Sequence, residues 1–94
     1  MIRFIDFYSI KCSPCINQKN NLEDFKRRNI NCEIEYVDIE KDNERYQELK
    51  EEFNLDFTSI PFLIVLQDGE LVYEKGGCHT KEMLEEVYIK VKLL

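Results

Sequence analysis

No stretch of this 94-residue sequence approaches the ~20 consecutive apolar residues of a membrane-spanning helix, so no membrane association is expected. Residues 1–6 carry an acidic side chain within their apolar stretch and no small-residue cleavage site, which is not the pattern of a secretory signal. The expected location is therefore the cytoplasm. A surplus of basic charge is also lacking. The net charge is −6 with both signs interspersed, whereas a phosphate backbone asks for clustered Lys and Arg, so no nucleic-acid partner is expected. Lys26-Arg27-Arg28 is the one basic cluster, and it falls where a helix C-terminus is expected, with cations complementing the helix dipole. Tryptophan and alanine are absent altogether. There is no internal repeat, linker or low-complexity tract, and a chain of this length accommodates one core, so a single domain over residues 1–94 is expected.

What is present reads as alternating strands and helices. Residues 2–7 are rich in β-branched and aromatic side chains and suit a buried strand. Residues 9–15 form a loop turning into a helix, with Pro14 near the first turn, where its missing N–H costs nothing. That helix is expected to run to about Arg28, with Cys15, Leu22 and Phe25 on its apolar side. Residues 33–39 alternate as a second strand, with Ile34 and Tyr36 on one face. Residues 43–53 place Tyr46, Leu49 and Phe53 on one helical face. The uninterrupted apolar run 62–66 suits a central strand covered on both sides, and Asp68-Gly69 is a hairpin signal that returns 71–75 antiparallel. Thr80 is the expected N-cap of a last helix with the stripe Met83, Leu84, Val87 and Val91. The order βαβαββα implies an α/β fold with a mixed four-stranded sheet flanked by three helices.

Four cysteines are present: Cys12, Cys15, Cys32 and Cys78. Without an export signal they read as redox, metal or packing residues rather than structural disulfides. The spacing Cys12-Ser13-Pro14-Cys15 is weak alone, but its first cysteine follows a strand and opens a helix. Unpaired N–H groups and the positive dipole end there stabilise a thiolate, and Lys11 adds charge of the same sense. Cys12 is thus expected to be the exposed nucleophile and Cys15, one turn further in, the resolving thiol. The pair would cycle between dithiol and disulfide with no bound cofactor. Pro14 stiffens the turn; Ser13 either tunes closure or is simply a polar residue of the first turn. A metal or iron–sulfur reading has only Cys32, Cys78 and the sole histidine, His79, to complete a site, with no second C-x-x-C. Cys32 is expected to be packing and His79 a solvated loop residue.

Residues 6–15, with Ser59-Ile60-Pro61, Asp68-Gly69 and Gly77, resemble the thioredoxin family, and the likeness runs over nearly the whole chain from residue 2. The resemblance implies a thioredoxin-like fold and the reduction of protein disulfides by dithiol exchange. It implies that Pro61 is cis and faces the two cysteines, and that the main chain of Ile60 pairs with an extended substrate segment. Asp6, six residues before Cys12, takes the place of the family's buried acid, which exchanges a proton with the resolving thiol; the alternative is an exposed place at the strand edge. Gly77 matches a glycine that lets substrate approach, and Cys78 falls on the rim, as a docking or reactive residue or a small loop residue. The resemblance further implies disulfide-containing proteins as substrates, thioredoxin reductase or glutathione as electron donor, and a monomeric state. A glutaredoxin-like use of glutathione is the alternative, suggested by Gly76-Gly77-Cys78. The sequence also departs from the family. Its alignment starts at the central strand, as in the core shared with glutaredoxins. Tyr8 and Lys11 stand where tryptophans are usual, and Tyr36 where many members carry a lysine beside the buried acid.

Overall fold

The computed structural model describes residues 1–94. The elements follow the expected order: β1 (Ile2–Tyr8), α1 (Ser13–Arg28), β2 (Glu33–Asp38), α2 (Asn43–Glu52), β3 (Phe62–Gln67), β4 (Glu70–Gly76) and α3 (Lys81–Lys92). The strands lie in the order β2-β1-β3-β4, with β1 and β2 parallel and the other two pairings antiparallel. A parallel pair needs a crossover, and α1 supplies it. Asp68 and Gly69 both have positive φ, 51° and 85°, the backbone that a tight two-residue hairpin requires. No helix is long and apolar enough to cross a membrane.

Side chains of a strand alternate between the sheet's faces, and this decides where the site lies. Phe4 joins Leu22 and Phe25 of α1, Leu63 and Val65 of β3, and Leu84 of α3 in one core. Ile5 and Phe7 point the other way, towards Leu49 of α2 and Ile64 of β3. Asp6 shares the face of Phe4, so its carboxyl is directed under α1. Its register neighbours are Tyr36 on β2 and Leu63 on β3.

The helix ends are set by local chemistry. Thr80 caps α3, its Oγ1 accepting from the Met83 N–H at 3.1 Å. Lys26, Arg27 and Arg28 occupy the last turn of α1, where Arg27 and Arg28 pair with Asp24. Lys26 also donates to the Ile30 and Cys32 carbonyls just beyond the helix. Boundaries differ from the sequence reading by a residue or so, as at Tyr8, which still pairs with Asp38. Two differences are larger. Gln18 is a fully buried member of the α1 stripe, and Tyr88 is buried on α3.

Candidate functional site

The end of β1 leads into α1 through a short turn. Ser9 is buried; its carbonyl accepts from the Cys12 N–H at 3.1 Å and its Oγ from the Lys11 N–H at 3.2 Å. Cys12 is the N-cap of α1 in extended conformation, and its Sγ accepts from the Cys15 N–H at 3.2 Å. A thiol sulfur thus takes the capping place usually held by a hydroxyl or carboxylate. A donor and the dipole's positive end are already aimed at Cys12 Sγ, an arrangement of the kind that favours the thiolate form of a free cysteine.

Cys12 and Cys15 are joined as a disulfide, with Cα atoms 5.2 Å apart. Cys12 is half-buried and Cys15 almost wholly buried, at 1% exposure, which separates an approachable sulfur from a shielded one. Ser13 and Pro14 are exposed over them. Lys11 is exposed, and its Nζ lies 3.6 Å from Glu40, so that carboxylate offsets part of the positive charge expected beside Cys12.

The Ile60–Pro61 peptide bond is cis. The Ile60 carbonyl oxygen lies 3.8 Å from Cys12 Sγ, which sets this turn against the disulfide. No main-chain hydrogen bond within the chain engages Ile60, whereas the next carbonyl, that of Pro61, accepts from the Gly77 N–H at 2.9 Å. Gly77 has φ 94° with open space where a Cβ would stand, so it turns the chain tightly and leaves the rim uncrowded. Cys78 follows it on the exposed rim, and burial together with the Asp6 charge pushes its thiol above the ordinary range. Cys12 and Cys15 are thus met at the site by the turn before β3 and the loop after β4.

Asp6 is fully buried, not exposed at the strand edge. Burial pushes its pKa up from 3.8 to about 6, against the opposing pull of a hydrogen bond from Gln18 and the charge of Lys19. Gln18 Nε2 donates to Asp6 Oδ1 at 2.8 Å, while Oδ2 has no partner. Cys15 and Gln18 stand three residues apart on the buried face of α1, one turn from each other, so the acid lies beneath the helix face that carries Cys15. Tyr36 does occupy the neighbouring β2 position, but a lysine is supplied from elsewhere. Lys19 Nζ lies 5.2 Å from the Tyr36 ring centre and 5.9 Å from that of Tyr8, within cation–π reach of both.

One expectation is corrected. His79 is not a solvated loop residue; it is fully buried. Gln18 and Asn21 of α1 satisfy its main chain, Gln18 Oε1 accepting from its N–H at 2.8 Å and Asn21 Nδ2 donating to its carbonyl at 2.8 Å. Its ring lies 2.9 Å from the Tyr73 hydroxyl through Nε2. Cys32 lies in the core between the sheet, α1 and α3, where burial pushes its thiol up to about 11. No group of three or more His, Cys, Asp and Glu side chains converges to hold a metal ion.

No protein-family model matches the sequence, and no curated protein matches it significantly. Solved structures do match. A mutant thioredoxin from Halobacterium salinarum superposes with TM-score 0.75 at 22% identity, covering 92% of this chain and 70% of that one. The oxidized mitochondrial thioredoxin 3 of Saccharomyces cerevisiae gives 0.76 at 20% identity, covering 95% and 77%. Fasciola hepatica thioredoxin gives 0.77 at 21%, covering 95% and 79%. The chain therefore has the thioredoxin fold, with a C-x-x-C pair at its first strand–helix junction and a cis proline beside it.

Proposed function

We propose that the protein is a thiol–disulfide oxidoreductase that reduces protein disulfides by dithiol exchange. The observation that carries this reading is the asymmetry of the pair: Cys12 is half-exposed at the helix N-cap with an N–H aimed at its sulfur, and Cys15 is buried behind it.

The Cys12 thiolate attacks one sulfur of a substrate disulfide. A Cys12–substrate bond forms, the substrate S–S bond breaks, and the departing thiolate takes a proton from water. Asp6 as carboxylate then accepts the Cys15 thiol proton. The Cys15 thiolate attacks Cys12 Sγ, closing the Cys12–Cys15 disulfide, and the second substrate thiolate leaves and is protonated. Two electrons have passed from the dithiol to the substrate. Through this exchange Ile60, which makes no main-chain hydrogen bond within the protein, pairs with an extended substrate segment against Pro61. Lys11, Ser13, Pro14, Gly77 and Cys78 form the surface that the substrate meets. The dithiol is restored by thioredoxin reductase or by glutathione, and the protein works as a monomer in the cytoplasm without a bound cofactor.

The test is the reduction of insulin disulfides, coupled in parallel to a thioredoxin reductase and to glutathione with its reductase. Turnover in one arm, abolished by Cys12→Ser, is the expected result and assigns the donor. No turnover in either arm, with wild type and Cys12→Ser indistinguishable, would overturn the reading.

A further inference from the structure

Asp6 ends a buried hydrogen-bonded chain that crosses from β4 to β1. Tyr73 Oη lies 2.9 Å from His79 Nε2; His79 Nδ1 lies 3.0 Å from Gln18 Oε1 and 3.1 Å from the Gly77 carbonyl; Gln18 Nε2 lies 2.8 Å from Asp6 Oδ1. Asp6, Gln18 and His79 are all fully buried. A buried polar group without a partner is costly, so these contacts define their own polarity.

The main-chain N–H of His79 can only donate, and it points at Gln18 Oε1 at 2.8 Å. That fixes the orientation of the amide, whose NH2 must then face Asp6. His79 Nδ1 stands between two oxygens that only accept, so it carries the hydrogen, and Nε2 accepts from the Tyr73 hydroxyl. Burial holds the imidazole pKa below its ordinary value, which keeps this neutral tautomer at pH 7. Every donor in the chain therefore points towards Asp6.

A carboxyl oxygen that receives an N–H is not the one that carries a proton towards that same donor. Oδ1 is occupied, and Oδ2 is the buried oxygen without a partner. The chain is not a proton wire, because Gln18 interrupts it: a carboxamide does not take up and release protons near neutral pH as an imidazole does. Its role is orientation.

We propose that Gln18 is a positioning residue for disulfide exchange: anchored by His79, it holds the Asp6 carboxyl so that Oδ2 is the atom that takes the Cys15 proton. This rests on the reading of Asp6 as the proton acceptor. The other groups facing Asp6 are Lys19 on α1, Tyr36 on β2, Tyr8 on its own strand and Cys78 on the loop after β4; Leu63 on β3 is apolar. Lys19 alone brings positive charge, and a Gln18 variant leaves it in place.

The test measures the second step by itself. One equivalent of a chromogenic aromatic disulfide releases a first thiol on attack by Cys12 and a second on resolution by Cys15. In Gln18→Met the pH midpoint of the second phase is expected to rise by about 1 pH unit, because a hydrogen bond to the carboxylate has been lost. Resolution then slows about fivefold at pH 6 and hardly at pH 8, as follows from the ionised fraction of one acid. The first phase keeps its profile. An unchanged second midpoint in Gln18→Met, where Asp6→Asn removes that midpoint, would overturn the positioning role and leave Asp6 as acceptor. An unchanged profile in Asp6→Asn would overturn both. Should Gln18→Met fail to fold, the wild-type protein still decides. Its Gln18 side-chain amide resonances are expected to titrate with the Asp6 carboxyl near pH 6, and flat amide resonances from pH 4 to 8 would refute the proposal.

Discussion

Replacing Asp6 by Asn removes a carboxyl that burial makes hard to ionise, and the consequence is a pH-dependent gain in stability. The folded-state pKa is about 6 against an ordinary 3.8. Between pH 4 and 6 the native state therefore holds a proton that the unfolded chain has released, and wild-type stability falls as pH rises through that window. Above the window the cost levels off at about 3 kcal/mol, from roughly two pKa units at 1.36 kcal/mol each. Asn fits the same space and still accepts from Gln18 through its Oδ1. Its NH2 takes the unpartnered place of Oδ2, at a cost of about 1 kcal/mol. The net expectation is that Asp6→Asn is about 2 kcal/mol more stable than wild type at pH 7, or about 10 °C in Tm for a domain of this size. Below pH 4 the acid is protonated in both states, and the variant becomes the less stable by about 1 kcal/mol. Urea denaturation of both oxidised proteins from pH 3.5 to 8 measures the difference directly. A difference independent of pH, or a variant less stable at pH 7, would refute the reasoning that desolvation dominates at Asp6.

Phe25→Ala is expected to cost about 4 kcal/mol in denaturant unfolding, since the buried ring packs at 5.1 Å from Phe4 and 5.4 Å from Tyr88 and leaves a cavity between sheet and helices. Thr80→Ala is expected to cost about 1 kcal/mol through the lost α3 cap, and Thr80→Gly less, by the same measurement. In the reduced protein, iodoacetamide at pH 7 is expected to modify Cys12 well before Cys78, because the Cys78 thiol is pushed up by burial and by Asp6. Peptide mapping at short times reads this order, and Cys78 labelled first would contradict it.

The sequence discloses the strands and helices because each local signal agrees with the fold: β-branched runs, the Asp68-Gly69 turn and the Thr80 cap all act over a few residues. The two site cysteines are legible for the same reason, since a strand–helix junction is a local feature. The places of Asp6 and Pro61 came from family resemblance, and the structure puts the acid in the interior and the proline in the cis form. Gln18 and His79 were not legible. A single glutamine in an apolar stripe gives no sign that its partner lies 61 residues away, and a histidine after Gly76-Gly77-Cys78 has every mark of a loop. Its burial depends on a main-chain hydrogen bond that forms only once α1 and the β4–α3 connection meet. The polar residue three places after Cys15, on the face that should be apolar, was the signal available. Lys19 is not legible as a neighbour of the acid because the lysine that the family resemblance implies belongs on β2, where Tyr36 stands, whereas Lys19 reaches the same region from α1 across the Tyr36 ring.

The most direct test of the directional exchange is to interrupt it. On the proposed exchange, a Cys15→Ser protein, reduced and mixed with insulin, would attack but not resolve. It is expected to accumulate a mixed disulfide whose mass corresponds to protein plus insulin chain, mapping to Cys12 and released by a small thiol. A Cys15→Ser protein that traps nothing, or traps substrate at Cys78 or Cys32 instead, would contradict the assignment of Cys12 as the nucleophile.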